Sequence, residues 1–258
     1  MLRDRGIARR IADAVPVEPL VVEVGPGDGA LTTELLDTGH RVVGVEVDRS
    51  MIERLKGRFR SRREFNLIAG DILNVDWKSL SGKEDELVVV GNLPYHLFSV
   101  ILFKVFSFVR SGESPLIREM VIMVQREVGV RLTAEPGGRD YGGLTLLTKY
   151  HGRAEYLFTV PADRFHPKPK VDGAVVHLTF HQTGQFPPVD YNRFRRIVRG
   201  SFAHRRKTIR NALRSLNGLP DGWENLNYDF SLRPERFTFE DYIALTRDLF
   251  TNKHMVNR

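Results

Sequence analysis

Asn92-Leu93-Pro94-Tyr95 directly follows the apolar run Leu87–Val90 and sets a side-chain amide, a backbone carbonyl and an aromatic ring at the end of an expected strand. Such parts can hold a flat, weakly nucleophilic amino group and orient its hydrogens. Upstream stands Glu23-Val24-Gly25-Pro26-Gly27-Asp28-Gly29, at the end of another apolar run, Leu20–Val24. Glycines in a strand-to-helix turn let the backbone take positive φ and approach a ligand closely. The loop has no basic residue to meet phosphate. It therefore suits a nucleoside with a zwitterionic tail better than a pyrophosphate, with a plain tight turn as the alternative.

Two acids extend the pattern. Glu46 closes the next expected strand, where a carboxylate takes the two ribose hydroxyls of a nucleoside in sheets of this type. Asp71 closes the third, in Ala69-Gly70-Asp71-Ile72. From there it can accept from an adenine amino group, with Val47 and Ile72 flanking the ring. Either acid alone is an ordinary strand-end residue. Three successive strands ending in a Gly loop, Glu46 and Asp71 read together as an S-adenosylmethionine site, because ligands bind at the carboxyl ends of such strands.

The elements that must position these residues follow from periodicity. Ile7–Ala14, Ala30–Leu36, Ser50–Arg60, Val100–Val109 and Arg126–Thr133 read as helices. Leu20–Val24, Arg41–Val47, Phe65–Ala69, Leu87–Val90 and Met120–Val124 read as strands. Tyr156–Val160 and Ala174–Phe180, joined by a Pro-rich loop, suggest a closing hairpin. Strand–helix alternation argues for a doubly wound α/β sheet, mostly parallel. Beyond Gln182 the pattern turns helical, so the domains are expected at 1–182 and 183–258, with the linker at Thr183–Pro188.

The 258 residues have ordinary hydrophobic (41%) and charged (28%) content and a net charge of +7. No long uncharged apolar stretch suggests a membrane span, and the charged N-terminus does not read as a signal peptide. The absence of cysteine removes disulfides, zinc-thiolate sites and thiol nucleophiles, and fits a cytoplasmic chain. The histidines show no ligand spacing with acids, so no metal is expected. Tyr191–Pro220 carries nine basic residues and no acid, exceeding the net charge of the whole chain. Apolar residues recur there at three- and four-residue steps, as in one or two helices with a basic outer face. That face reads as a surface tracking nucleic-acid phosphates, against the alternative of a solvated helix face.

EVGPGDGALT, VVGVEVD, GDIL, VVGNLPYHL, VQREV, PADRFHPKPKVDGAVV and RRKTIRNAL together make the chain resemble the ribosomal RNA adenine dimethyltransferases. The likeness runs through nearly the whole chain, and the last two segments favour the small-subunit branch over the erythromycin-resistance methylases. The resemblance implies a Rossmann-like, class I S-adenosylmethionine-dependent methyltransferase sheet with a small C-terminal helical domain. It implies cofactor contacts from Leu2, Glu23, Gly25, Gly27, Gly29, Glu46, Val47, Asp71, Ile72 and Asn92, with S-adenosylhomocysteine as product. Asn92 and the Pro94 carbonyl would accept from the target amine, while Tyr95 and Phe165 would cover the two faces of the base. Arg195, Arg199, Arg205, Arg206, Lys207 and Arg210 would hold RNA.

The implied substrate is two adjacent adenosines in the 3′-terminal hairpin of small-subunit ribosomal RNA, each dimethylated by a monomer during subunit assembly. An assembly factor of the same fold with little activity, and an adenine amino-methyltransferase acting on DNA or another RNA, remain as alternatives. The family usually carries Gln-Asn-Phe-Leu before its first helix, and only Leu2 of that element is matched here. A late start, a truncation or a true absence would each explain this. Gly173 stands where the family often has Ser. His96 reads as a surface residue. Gln125-Arg126-Glu127 reads as a helix start, with an RNA contact as the lesser possibility. Lys168 and Lys170 either touch phosphate or solubilise a stiff loop.

Overall fold

The run Leu20–Val24 is buried at all five positions, as is Val42–Glu46, and Leu87–Gly91 is buried throughout. A strand with no solvent face belongs inside a parallel sheet covered on both sides, and that is where these strands lie. The computed structural model describes residues 2, 4–17, 19–81, 86–94, 96–114, 116–182 and 184–251. They divide into two compact units. One comprises Met1–Gly129 with His151–Gly184, the other Val130–Tyr150 with Gln185–Arg258. The sequence placed a single break at 182/183 and gave residues 130–150 to the first unit.

In the first unit the order is α1 (Arg5–Ala12), β1 (Leu20–Val24), α2 (Ala30–Asp37), β2 (Val42–Glu46), α3 (Arg49–Arg58), β3 (Phe65–Ala69), α4 (Trp77–Ser81), β4 (Glu86–Asn92), α5 (Phe98–Ser111) and β5 (Leu116–Gln125). α6 (Arg126–Leu132) and α7 (Gly143–His151) cross the breaks between the units, and β6 (Gly152–Val160) and β7 (Gly173–Phe180) complete the sheet. The seven strands lie in the order β3-β2-β1-β4-β5-β7-β6. β1 to β5 pair in parallel, and β7 joins β5 and β6 antiparallel. The expected hairpin is therefore present as β6–β7.

α1 starts at Asp4, whose carboxylate accepts from the Ile7 N–H at 3.0 Å and is held below its ordinary pKa mainly by that bond. Its apolar face, Ile7, Ala8, Ile11 and Ala12, joins one core cluster with Leu35, Val21, Val88 and Val121. The strand order reverses between β1 and β4, the point where such sheets open a crevice for a ligand.

The second unit is built around aromatic rings. Tyr150, from α7, stacks on Phe194 of α8 (Tyr191–Ala203), with centroids 5.1 Å apart. Phe194 meets Phe239 of α10 (Phe239–Thr251) edge-on. Between these helices lies the short α9 (Ile209–Leu213), capped by Thr208. Phe194, Ile197, Val198, Ile209 and Leu213 are buried, so the apolar positions read from the basic segment do face a core.

Candidate active site

β1 and β4 deliver the two motifs to the same place. After β1, Gly25, Gly27 and Gly29 all take positive φ, at 66°, 61° and 81°. A side chain at any of them would strain the turn. At the end of β4, a Cβ on Gly91 would come within 2.6 Å of the Val24 carbonyl oxygen. This glycine lets the two strand ends close up and sets Asn92 beside the Gly loop. The only sequence signal for it was a glycine interrupting an otherwise apolar run.

Both motifs line a cleft of about 320 Å³, within the range of small-ligand pockets. Its walls include Leu2, Glu23, Gly25, Gly27, Asn92 and Phe165. Leu93, Pro94, Pro167 and Pro169 also line it. Leu2 and Phe165 are joined by an antiparallel β-bridge, and Arg164 reaches Asp4 at 2.8 Å, tying the Pro-rich loop to the start of α1. Sequence reasoning missed this ion pair, which joins residues 160 positions apart.

The ionisable residues lining the cleft are acids, Glu23 and Asp28. Glu23 is 2% exposed and accepts from Thr32 Oγ1 at 2.6 Å. Burial pushes its carboxyl up to about 7, with the Thr32 bond opposing and Glu46 adding to the rise. Glu46 braces the loop: its Oε2 accepts from the Gly27 N–H at 2.9 Å, and its Oε1 accepts from the N–H groups of Val47 and Asp48. The loop is also held by Arg58, whose guanidinium donates to the Asp28 carbonyl at 2.6 Å. Among the described residues the cleft is lined by acids and by no basic side chain, which suits a cationic ligand, and a sulfonium with an ammonium tail is one.

Glu46 and Asp71 stand on adjacent strand ends, linked through the Gly70 N–H to Glu46 carbonyl bond at 2.8 Å. Val47 is 70% exposed, while Ile72 is buried. These four are not among the residues lining the cleft itself. The Asn92 amide has no hydrogen-bond partner among the described residues.

Pro94 requires a correction. Its carbonyl oxygen accepts from the N–H groups of Leu97 at 2.9 Å and Phe98 at 3.0 Å. Both lone-pair directions serve the first turn of α5, so that oxygen is not available to a substrate amine. One residue earlier, the Leu93 carbonyl has no donor among the described residues. Tyr95 lies outside the described residues. His96 is exposed, as are Lys168 and Lys170, and Arg126 opens α6.

In the second unit the basic residues sort into two groups. Arg205 donates to the carbonyls of Gly138 and Tyr141, and Arg210 lies over the Phe230 ring. Arg214 pairs with Glu224, and Arg193 covers Phe250. Arg195, Arg196, Arg199, Arg206 and Lys207 have no carboxylate partner among the described residues. The first three, with Asn192, line a groove of about 490 Å³ along α8.

Residues 1–222 match the family model described as ribosomal RNA adenine dimethylase. The chain belongs to this family. Among curated relatives, the ribosomal RNA small subunit methyltransferase A of Pseudomonas syringae pv. syringae (strain B728a) is 40% identical over 250 residues, covering 96% of this chain and 91% of the relative. Among solved structures, the dimethyladenosine transferase of Plasmodium falciparum superposes with a TM-score of 0.77 at 25% identity, covering 95% of both chains. The 23S rRNA methyltransferase ErmE gives 0.71 at 24% identity, covering 96% of this chain and 99% of its own, a likeness of fold alone. The family's sheet is the class I methyltransferase sheet seen here. No helix among the described residues is long and apolar enough to cross a membrane, and no group of three or more His, Cys, Asp or Glu among them could hold a metal ion.

Proposed function

We propose that this protein transfers methyl groups from S-adenosylmethionine to the exocyclic amines of two adjacent adenosines in the 3′-terminal hairpin of small-subunit ribosomal RNA, two to each, during subunit assembly. The observation that carries the reading is the Asn92 amide. It has no partner among the described residues and lines an acidic cleft together with the Gly loop, in a chain 40% identical to a small-subunit methyltransferase.

The cofactor supplies an electrophilic methyl group on a sulfonium. Gly25, Gly27 and Gly29 bring the backbone close to it, and Glu23 sets a negative potential in the cleft. Glu46, Asp71, Val47 and Ile72 take its nucleoside end. The amine of adenine attacks poorly while planar, because its lone pair is shared with the ring. Asn92 Oδ1 and the Leu93 carbonyl accept its two hydrogens, turn the nitrogen toward tetrahedral geometry and aim the lone pair. Such positioning contributes several kcal/mol to barrier reduction. The nitrogen becomes acidic as it gains the methyl, so the proton leaves to solvent without a strong base, consistent with Asn rather than Asp at 92. Tyr95 and Phe165 stack on an adenine that must first leave its neighbours, for about 1–3 kcal/mol per base. The reaction calls for no metal, since the electrophile is already cationic.

In this reading the protein is a cytoplasmic monomer. Arg195, Arg196, Arg199, Arg206 and Lys207 grip RNA phosphates, whereas Arg205 and Arg210 serve the second unit's own structure. Asn92→Ala should abolish methyl transfer to unmethylated small subunits while RNA affinity stays within about twofold. Wild-type protein that binds subunits without transferring would support an assembly factor instead, and transfer to duplex DNA would place the substrate elsewhere.

A further inference from the structure

Lys104 lies midway along α5, the helix that starts just after Asn92-Leu93-Pro94-Tyr95. Its ammonium donates to three backbone carbonyls at once: Ile72 at 2.8 Å, Leu73 at 2.8 Å and Val75 at 2.7 Å. All three of its hydrogens are thereby used, and no carboxylate is among its partners. The Trp77 ring stands 5.7 Å from the same nitrogen.

The segment it holds is one tight turn whose polar groups are divided between two residues. Asp71 collects the N–H end. Its Oδ1 accepts from the Leu73 N–H at 2.9 Å, and its carbonyl accepts from the N–H groups of Asn74 and Val75. Lys104 collects the carbonyl end. Asp71 Oδ2 is left without a partner among the described residues, free to accept from a ligand. Partial burial lowers the pKa of the Lys104 ammonium. The charges of Asp71 and Asp76 oppose that shift, and the three carbonyl bonds are made by an ammonium donating all its hydrogens.

We infer that Lys104 is a positioning residue for the methyl donor: by holding the carbonyls of Ile72, Leu73 and Val75 it fixes the turn that presents Asp71 and Ile72 to the donor's adenine, and it ties that turn to the helix that follows the target-amine motif. The inference rests on the reading of Asp71 as the adenine acceptor. Lys104 touches neither substrate nor donor. Its loss frees three carbonyls and lets the turn shift, so the effect falls on recognition of the adenine amino group.

The test compares binding of S-adenosylhomocysteine with S-inosylhomocysteine, which carries a carbonyl where adenine has its amino group. Wild-type protein should prefer the adenine form. In Lys104→Met, which keeps the apolar stem, affinity for S-adenosylhomocysteine should fall by about tenfold while S-inosylhomocysteine changes less than about twofold. KM for S-adenosylmethionine should rise in proportion, with a smaller fall in kcat. Should Lys104→Met not fold, Lys104→Gln, whose amide donates two hydrogens, should give an intermediate loss of discrimination. Asp71→Asn is the control. If Asp71→Asn removes the discrimination and the Lys104 variants keep it, the positioning role is overturned while the adenine reading stands. If Asp71→Asn keeps it, the adenine reading falls and the role of Lys104 falls with it. Equal loss of both ligands in the Lys104 variants would mark a merely structural lysine and overturn the inference.

Discussion

Glu23→Gln should make the protein more stable and a poorer binder of its donor, with both effects growing as pH rises. The Glu23 carboxyl is buried, and its pKa is raised from 4.5 to about 7. Between those values the native state holds a proton that the unfolded chain has released. Stability attributable to this group therefore falls as pH rises from about 4.5 to about 7, and the full penalty persists above. A difference of that size corresponds to about 3 kcal/mol. Glutamine preserves the volume and can still accept from Thr32 Oγ1, so the variant isolates the charge. Urea denaturation at pH 5 should show the two proteins within about 1 kcal/mol of each other, and at pH 8 the variant should be ahead by about 2–3 kcal/mol. A bound sulfonium favours the charged carboxylate, so wild-type affinity for S-adenosylmethionine should increase as pH rises through 7. That increase should be weaker for S-adenosylhomocysteine, whose sulfur is neutral, and absent from the variant. A stability difference that does not change between pH 5 and pH 8 would refute the reasoning.

Gly91→Ala places a methyl group against the Val24 carbonyl oxygen; it should cost about 1–3 kcal/mol in denaturation and lower methyl transfer by displacing Asn92. Arg196→Gln with Arg199→Gln should reduce the slope of log affinity for RNA against log salt by about 1.5–2, without lowering the melting temperature. Arg205→Gln should do the reverse, lowering the melting temperature through its lost bonds to Gly138 and Tyr141 while leaving the salt slope unchanged.

The sheet was legible because burial on both faces writes itself as unbroken apolar runs. Leu20–Val24 and Phe65–Ala69 were located to the residue, and the other strands to within a few residues of their ends. The Gly loop, Glu46 and Asp71 were legible because strand ends in a doubly wound fold form a row. The order of the strands was not, since pairing of β5 with β7 leaves no local trace. α7 escaped because its buried face mixes Thr145 and Thr148 with Leu146, Leu147 and Tyr150 and follows a glycine-rich stretch. The basic segment shows the limit most plainly. Its nine cations look alike in one dimension, and only three-dimensional partners separate Arg205, spent on two carbonyls, from Arg196 and Arg199, which line an open groove. The Pro94 carbonyl was misjudged for the same reason, because starting a helix consumes carbonyls that the sequence presents as free.

The central claim is tested most directly by nucleoside mass spectrometry of small subunits from cells lacking this modification, incubated with the protein and S-adenosylmethionine. The account predicts two N6,N6-dimethyladenosines per subunit, in adjacent positions of the 3′-terminal hairpin, and none with Asn92→Ala. Unmodified adenosines at those positions after incubation with protein that demonstrably binds both donor and subunit would contradict it.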